Sequence, residues 1–343
     1  MGECTRGWMD AQRRSRRVDF KGNRSERLGS ACLAILKGVI SMKRLGISMV
    51  AGMLLMTAAA YAANNSQSEQ GRAVVTVLPE SDSAGQAKVG MENLKIKVNG
   101  KNSSITGWKA LKGPANPLEM VLLMDSGSSS SIGTQFEEIT QFVKEMPADA
   151  KIAIAYMQNG RAVLAGPLTA DGKQLEHELH LPMGPGGIDA SPYFCLSDLA
   201  KNWPSSDRTA HRVVLMITDG IDPYDRSINQ DDPYVETAVR DSVRAGLVVY
   251  SMYWHGRGGG NVVAGQNRLS QLSDSTGGKS YWMGMGNPVS FDPFFTDLRR
   301  CLRNQYVLSF AVEGSGKPDV ANLKLRVEGV QAKVLAPQQV YVE

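Results

Sequence analysis

The chain has 343 residues, 38 Lys and Arg against 34 Asp and Glu, a formal charge of +4 and 42% apolar residues, the balance of a globular protein rather than a disordered chain or a multi-span transporter. The charge is uneven: residues 1–44 hold 11 bases and 4 acids, which leaves 27 bases and 30 acids beyond them, a net of −3. The basic excess therefore belongs to the first segment, and nucleic-acid binding by the rest has no electrostatic support.

Lys43 and Arg44 precede an uncharged stretch from Leu45 to Ala63 that ends Ala60-Tyr61-Ala62-Ala63. A positive end, an apolar core and a small-x-small site predict a signal peptide at 42–62, cleaved between Ala62 and Ala63, with 1–41 an upstream extension from a misassigned start. A single membrane anchor is the competing reading, since 19 uncharged residues just span a bilayer. With cleavage the mature chain has no membrane span and works in a periplasm or outside the cell. Only Cys195 and Cys301 then remain, and both fall on apolar helical stretches, which predicts two buried thiols.

Residues 63–71 read as a polar lead-in. An N-terminal β segment follows at 72–116: Ala73 to Leu78 is a strand, and Leu94-Lys95-Ile96-Lys97-Val98 alternates before Asn99-Gly100, a hairpin signal. The middle, 117–303, changes character. Continuous apolar runs at Met120–Met124, Ile152–Met157, Val213–Ile217 and Leu247–Trp254 are of strand length, as in parallel strands buried on both faces. Helical spacing lies between them, at Ile132, Phe136, Ile139, Val143 and Met146, at Val235, Val239 and Val243, and at Phe291, Phe294, Phe295, Leu298 and Cys301. The alternation predicts a doubly wound α/β domain with a mostly parallel sheet. A C-terminal β segment at 304–343 holds strands at Tyr306–Val312, Leu323–Val327 and Val340–Val342, with Gly314 to Lys317 read as a hairpin turn. The two short β segments are expected to pack together or on the edge of the central sheet.

In such a sheet the functional crevice lies beyond the carboxyl ends of the strands. Met124 is followed by Asp125-Ser126-Gly127-Ser128-Ser129-Ser130, and Ile217 by Thr218-Asp219-Gly220-Ile221-Asp222. Carboxylates and hydroxyls without His or Cys make an oxygen set suited to Mg²⁺, Mn²⁺ or Ca²⁺ rather than zinc. The same residues admit a structural role, Asp125 and the serines capping a helix near Ile132 and Asp219 bonding to the Ser-rich loop. Other chemistry lacks its motifs. His177 and His180 have no third ligand, Gly314-Ser315-Gly316-Lys317 lacks the earlier glycine and the Ser or Thr of a phosphate loop, and Gly-x-Ser-x-Gly is missing. The acids from Asp219 to Asp232 lack calcium-loop spacing and read as a solvated loop before a helix at Pro233.

A strand ending in Asp125-Ser126-Gly127-Ser128-Ser129, close to an Asp-x-Ser-x-Ser form, a later strand ending Thr218-Asp219-Gly220, and Thr276-Gly277-Gly278 before the last strand resemble the von Willebrand factor type A (VWA) domain, a Rossmann-like fold. The flanks, Asn93 to Lys101 and Asn304 to Leu308, resemble exported acidobacterial VWA-related proteins. The resemblance implies a protein-binding module acting through the loops at the carboxyl end of the sheet. It implies a metal site of MIDAS type, which here is degenerate. Asp125, Ser129 and Asp219 match ligand positions, but Gly127 stands where a Ser belongs and Gly186-Gly187-Ile188 lacks the usual Thr, leaving Ser126, Ser128 or Asp189 as substitutes. The loops place Ser130, Ile188, Asp222, His255 and Arg257 on a partner-binding rim. Two alternatives remain open: a structural envelope protein docking through its β segments, and a divergent metal-dependent hydrolase, for which the motifs supply neither a full ligand set nor a general base.

Overall fold

A computed structural model describes residues 68–79, 89–113, 115–181, 191–224, 232–257, 260–313 and 318–343. The export segment with Ala62 and Ala63, the loop holding Ile188 and Asp189, and the Gly314 to Lys317 turn lie outside them.

The chain begins with β1 (Ser68–Pro79), β2 (Leu94–Val98), β3 (Lys101–Asn102) and β4 (Ser104–Ala110). It ends with β11 (Gln305–Glu313), β12 (Asp319–Val327), β13 (Ala332–Leu335) and β14 (Gln339–Val342). These form one antiparallel eight-stranded sheet in the order β3-β2-β12-β14-β1-β11-β4, with β13 also on β1. Alternation drives it: in β2, Leu94, Ile96 and Val98 point inward while Lys95 and Lys97 face water. The inward set joins Val75, Val77, Leu308, Phe310 and Leu323 in one cluster. Asn99 and Gly100 take φ of 48° and 80° and turn β2 into β3, as their sequence predicts. The two β segments do pack together, but the expected hairpin across Gly314 to Lys317 is corrected, because β11 and β12 are not neighbours.

Between these halves runs the α/β layer. Its strands are β5 (Leu118–Asp125), β6 (Lys151–Gln158), β7 (Arg161–Leu164), β8 (His211–Thr218), β9 (Leu247–Tyr253) and β10 (Ser280–Tyr281), in the order β10-β9-β8-β5-β6-β7. Four of its pairings are parallel, and edge strand β7 runs antiparallel to β6. The expectation of a mostly parallel sheet therefore does not describe the chain as a whole, since the larger sheet is antiparallel throughout.

Side chains of β5 alternate between two cores. Met120, Leu122 and Met124 meet α1 (Phe136–Lys144), α2 (Gly172–Glu178) and, near the chain's end, Asp292–Arg303. Val121 and Leu123 meet α3 (Pro192–Lys201), α4 (Pro233–Arg244) and α5 (Val262–Thr276). Asp292–Arg303 is α6, whose Phe295 stacks on Phe142 of α1 at 4.4 Å between ring centroids. Helix starts follow their caps: Asp232 accepts the Tyr234 and Val235 amides with Pro233 in the first turn, and Asn261 accepts the Ala264 amide. Cys195 and Cys301 are both free and buried. Strand order reverses between β5 and β8, so their carboxyl ends frame a crevice.

Candidate functional site

The crevice is built from three strand ends. Asp125 closes β5, its Oδ1 accepting the Gly127 N–H at 2.7 Å and its Oδ2 the Thr218 hydroxyl at 2.7 Å. Burial pushes its carboxyl above the ordinary value, against the Thr218 hydroxyl, the Gly127 amide and the Arg257 charge. Thr218 is fully buried at the end of β8 and also accepts the Gly220 N–H at 3.2 Å. Asp219 follows it, with Oδ1 accepting the Ile221 N–H at 2.9 Å. Burial first, then the negative charge of Asp125, push Asp219 up to about 7. Gly220 has φ +67, and a Cβ there would lie 2.6 Å from the Gly265 carbonyl oxygen of α5, so no other residue fits this turn without displacing the helix.

A strap from the end of β9 crosses these loops. Ser129 N–H donates to the His255 carbonyl at 3.1 Å and Arg257 N–H to the Gly127 carbonyl at 2.9 Å, so Ser128 and Gly256 form an antiparallel bridge. The Arg257 guanidinium donates to the Ser126 carbonyl at 2.5 Å. Gly256 sits directly on Asp219: a Cβ at Gly256 would be 2.2 Å from Asp219 Oδ2. His255 is anchored in turn, its N–H on Asn287 Oδ1 at 2.6 Å and its Nδ1 3.1 Å from the Tyr253 hydroxyl.

This arrangement bears on the cation that the resemblance implies. Both Asp125 oxygens already accept protein hydrogens. Ser129 Oγ accepts the Ser131 N–H at 3.4 Å and lies 3.0 Å from the Ser131 hydroxyl, capping a 3-10 turn at Ser130–Gln135. That turn, rather than an α-helix, begins near Ile132, and α1 starts only at Phe136. Ser126 and Ser128 are buried, and Ser126 Oγ is without a hydrogen-bond partner, one neutral oxygen where a hard cation needs six or more. A side chain at Gly127 would place its Cβ 3.0 Å from Asp125 Oδ1, so an oxygen supplied there would crowd that carboxylate and push it aside by a few tenths of an ångström. No group of three or more His, Cys, Asp or Glu among the described residues could hold a metal. As they stand, these residues do not fit a divalent cation.

The rim differs from its sequence reading in one certain place. Asp222 is 1% exposed, accepting the Ser191 hydroxyl at 2.9 Å and the Tyr224 N–H at 2.8 Å. It holds α3 to the loop and cannot reach a partner. The solvated reading of the acidic loop is corrected likewise for Asp222 and Asp232, the latter buried and paired with buried Arg268 at 3.2 Å, while Asp225 and Asp231 lie outside the described residues. Ser130 is exposed; His255 is half-buried and Arg257 exposed, both tied into the strap. His177 and His180 are exposed, and His180 lies beyond α2, stacked on Tyr156 at 4.0 Å.

Sequence reading missed the loop after β10. Trp282, Met283, Met285 and Val289 are 41%, 58%, 67% and 93% exposed. The loop is nonetheless fixed, with Gln266 Nε2 donating to the Gly284 carbonyl at 2.8 Å, Gln135 Nε2 to the Val289 carbonyl at 3.2 Å, and Asn287 on the strap. The available signal was apolar residues separated by glycines, Trp282-Met283-Gly284-Met285-Gly286, in neither helical nor strand period. A cavity of about 440 Å³ lies at the opposite end of the sheet, lined by Leu111, Leu118, Met146, His211, Arg299 and Leu302.

No family profile and no curated protein matches the chain. Among solved structures it is similar to an aerotolerance-related membrane protein from Bacteroides fragilis NCTC 9343, at 13% identity and TM-score 0.39 over 54% of this chain and 98% of that one. It is similar to the SpRpn10 VWA domain at 11% identity and TM-score 0.36, over 53% of this chain and 94% of that one. It is also similar to proximal thread matrix protein 1 of the mussel byssus, described with a zinc-occupied MIDAS motif, at 16% identity and TM-score 0.37, over 57% of this chain and 48% of that one. Likenesses at these scores carry no functional weight. The strand order, with Asp125 and the Thr218-Asp219-Gly220 turn at adjacent strand ends, agrees with what the sequence's resemblance to the VWA domain implies.

Proposed function

We propose that the chain is an exported, non-enzymatic interaction module that holds a protein partner at the carboxyl end of its α/β sheet, without a divalent cation. The observation that carries this reading is the apolar loop. Four large apolar side chains stand in water on a segment pinned at three points, beside the strap that covers the two carboxylates. Ordered apolar exposure of this kind is unfavourable for an isolated molecule and is what a partner covers. Met and Trp suit the task, one adapting to its contacts and the other giving large area. Ser130, His255 and Arg257 complete the rim in this reading. Export is supported by the signal-like segment at 42–62 and by the acidic balance that follows it.

One observation favours a second reading, docking through the β segments. Among the described residues strand β4 is an edge of the eight-stranded sheet, paired on one side only, and an added strand could extend it. Capture from an envelope extract separates the two. The loop reading predicts a partner retained in EDTA, lost with Trp282→Ser and Met285→Ser combined, and unaffected by Thr106→Pro in β4. Loss with Thr106→Pro alone establishes edge docking instead.

A further inference from the structure

We propose that Arg257 is the resident cation of this crevice, carried there by the 255–257 strap, and that the strap closes the place where a divalent ion would bind. The inference deepens the metal-independent reading above and rests on it, but it is argued and tested without a partner.

Three features converge on it. The strap is zipped to the Asp125 loop by two backbone hydrogen bonds, at 3.1 and 2.9 Å, which alternate about the Ser128 and Gly256 bridge as in a two-residue sheet. Because Arg257 is the last residue of that zipper, its own backbone amide fixes where the side chain starts, and the guanidinium returns to the Ser126 carbonyl at 2.5 Å. That carbonyl is one residue from Asp125, whose carboxyl the guanidinium charge lowers after the Thr218 and Gly127 hydrogen bonds have done so. Gly256 meanwhile lies against Asp219 Oδ2, so the second carboxylate is covered by backbone.

The chemistry of the site makes this arrangement sufficient. Two carboxylates at the ends of adjacent strands need positive charge or hydrogen-bond donors when water is withdrawn. Asp125 receives a hydroxyl and an amide, with the guanidinium held on the carbonyl of the next residue, Ser126; Asp219 receives the Ile221 amide. Guanidinium is permanently charged and weakly hydrated, hence suited to a counter-ion role at the exposed mouth of the crevice that Mg²⁺, which dehydrates reluctantly, would fill only with more oxygen ligands. For a divalent ion to enter, the strap would have to lift, breaking both zipper bonds and the guanidinium contact. Gly127 is consistent with this: its amide serves Asp125 in the position where a serine hydroxyl would have served a metal.

The test is thermal melting of the full chain in EDTA and in about 10 mM MgCl₂ or MnCl₂, with hydrogen exchange of the 126–131 peptide as a second readout. The wild type should melt within about 1 °C in all three conditions. Arg257→Ala should melt several degrees lower and exchange at 126–131 at least tenfold faster, while Arg257→Lys, which keeps the charge, recovers part of both. The metal titration of the wild type stands on its own. A rise of about 3 °C or more with Mg²⁺ or Mn²⁺ overturns the proposal, as does an Arg257→Ala protein whose melting and exchange both match the wild type.

Discussion

Thr218 joins two strand ends through one hydroxyl, donating to Asp125 of β5 while accepting the amide of Gly220, and it does so at zero exposure. Thr218→Val keeps the shape and removes both bonds, leaving Asp125 Oδ2 without its donor. A loss of about 1–3 kcal/mol in urea unfolding is expected; a change below about 0.5 kcal/mol would mean the bond is idle. Gly220→Ala should cost at least as much, about 2–4 kcal/mol, because it adds left-handed strain to a contact with the α5 backbone. The Thr-Asp-Gly string was legible in sequence as a motif, and so was the strand that precedes it. The separate fates of Asp219 and Asp222 were not. Both are acids in one loop, but Asp222 is turned inward by Ser191 and the Tyr224 amide, partners whose nearness only the folded chain creates.

Elements divide along the same line between local and distant causes. Strands β5, β6, β8 and β9 were legible because burial on both faces leaves continuous apolar runs, and the β2–β3 hairpin because Asn99 and Gly100 supply the positive φ it needs. Strands β4, β7 and β13 were not, since their half-exposed residues show no clean alternation and they exist by pairing with strands distant in sequence or at an edge. The apolar loop after β10 was missed because its glycine-separated residues follow neither a helical nor a strand period, and only the folded chain, which pins the loop by Gln135, Gln266 and His255, shows that they face outward. The contrast is measurable. Trp282→Ser with Met285→Ser should change unfolding free energy by less than about 1 kcal/mol. Phe295→Ala, which empties the stack on Phe142, should cost about 3–5 kcal/mol. Comparable losses for the two would mean that the loop is packed rather than presented.

At the scale of the molecule, two sheets share one chain, and the flanking β segments, which read as short appendages, close into a sheet larger than the central one. Their packing together was expected from the sequence but their strand order was not, because the pairings of β1 with β11, β13 and β14, of β2 with β12 and of β4 with β11 join residues 68–110 to residues 305–342. Global stability should carry a distinct pH signature from His211, at the start of β8. Burial, aided by the charge of Arg72, holds it down to about 4, below the ordinary 6.5. Between those values the unfolded chain binds a proton that the folded chain refuses, so stability is present above about pH 6.5 and lost as pH falls toward 4. This contribution is about 2–3 kcal/mol, and His211→Gln should lack it, its urea midpoint gaining less than the wild type's between pH 4 and 6.5, while Asp219, raised to about 7, acts in the opposite sense in both proteins. Equal slopes would place the effect in other groups.

The central claim is that this molecule meets its partner through the apolar loop beside the strap, with no metal between them. Photo-crosslinking in cells from a reactive residue placed at Met285, compared with one at Thr106 on the β4 edge, tests it most directly. The account predicts a discrete adduct from position 285, undiminished by EDTA, and none from position 106. An adduct from 106 alone, or one from 285 that EDTA abolishes, would contradict it.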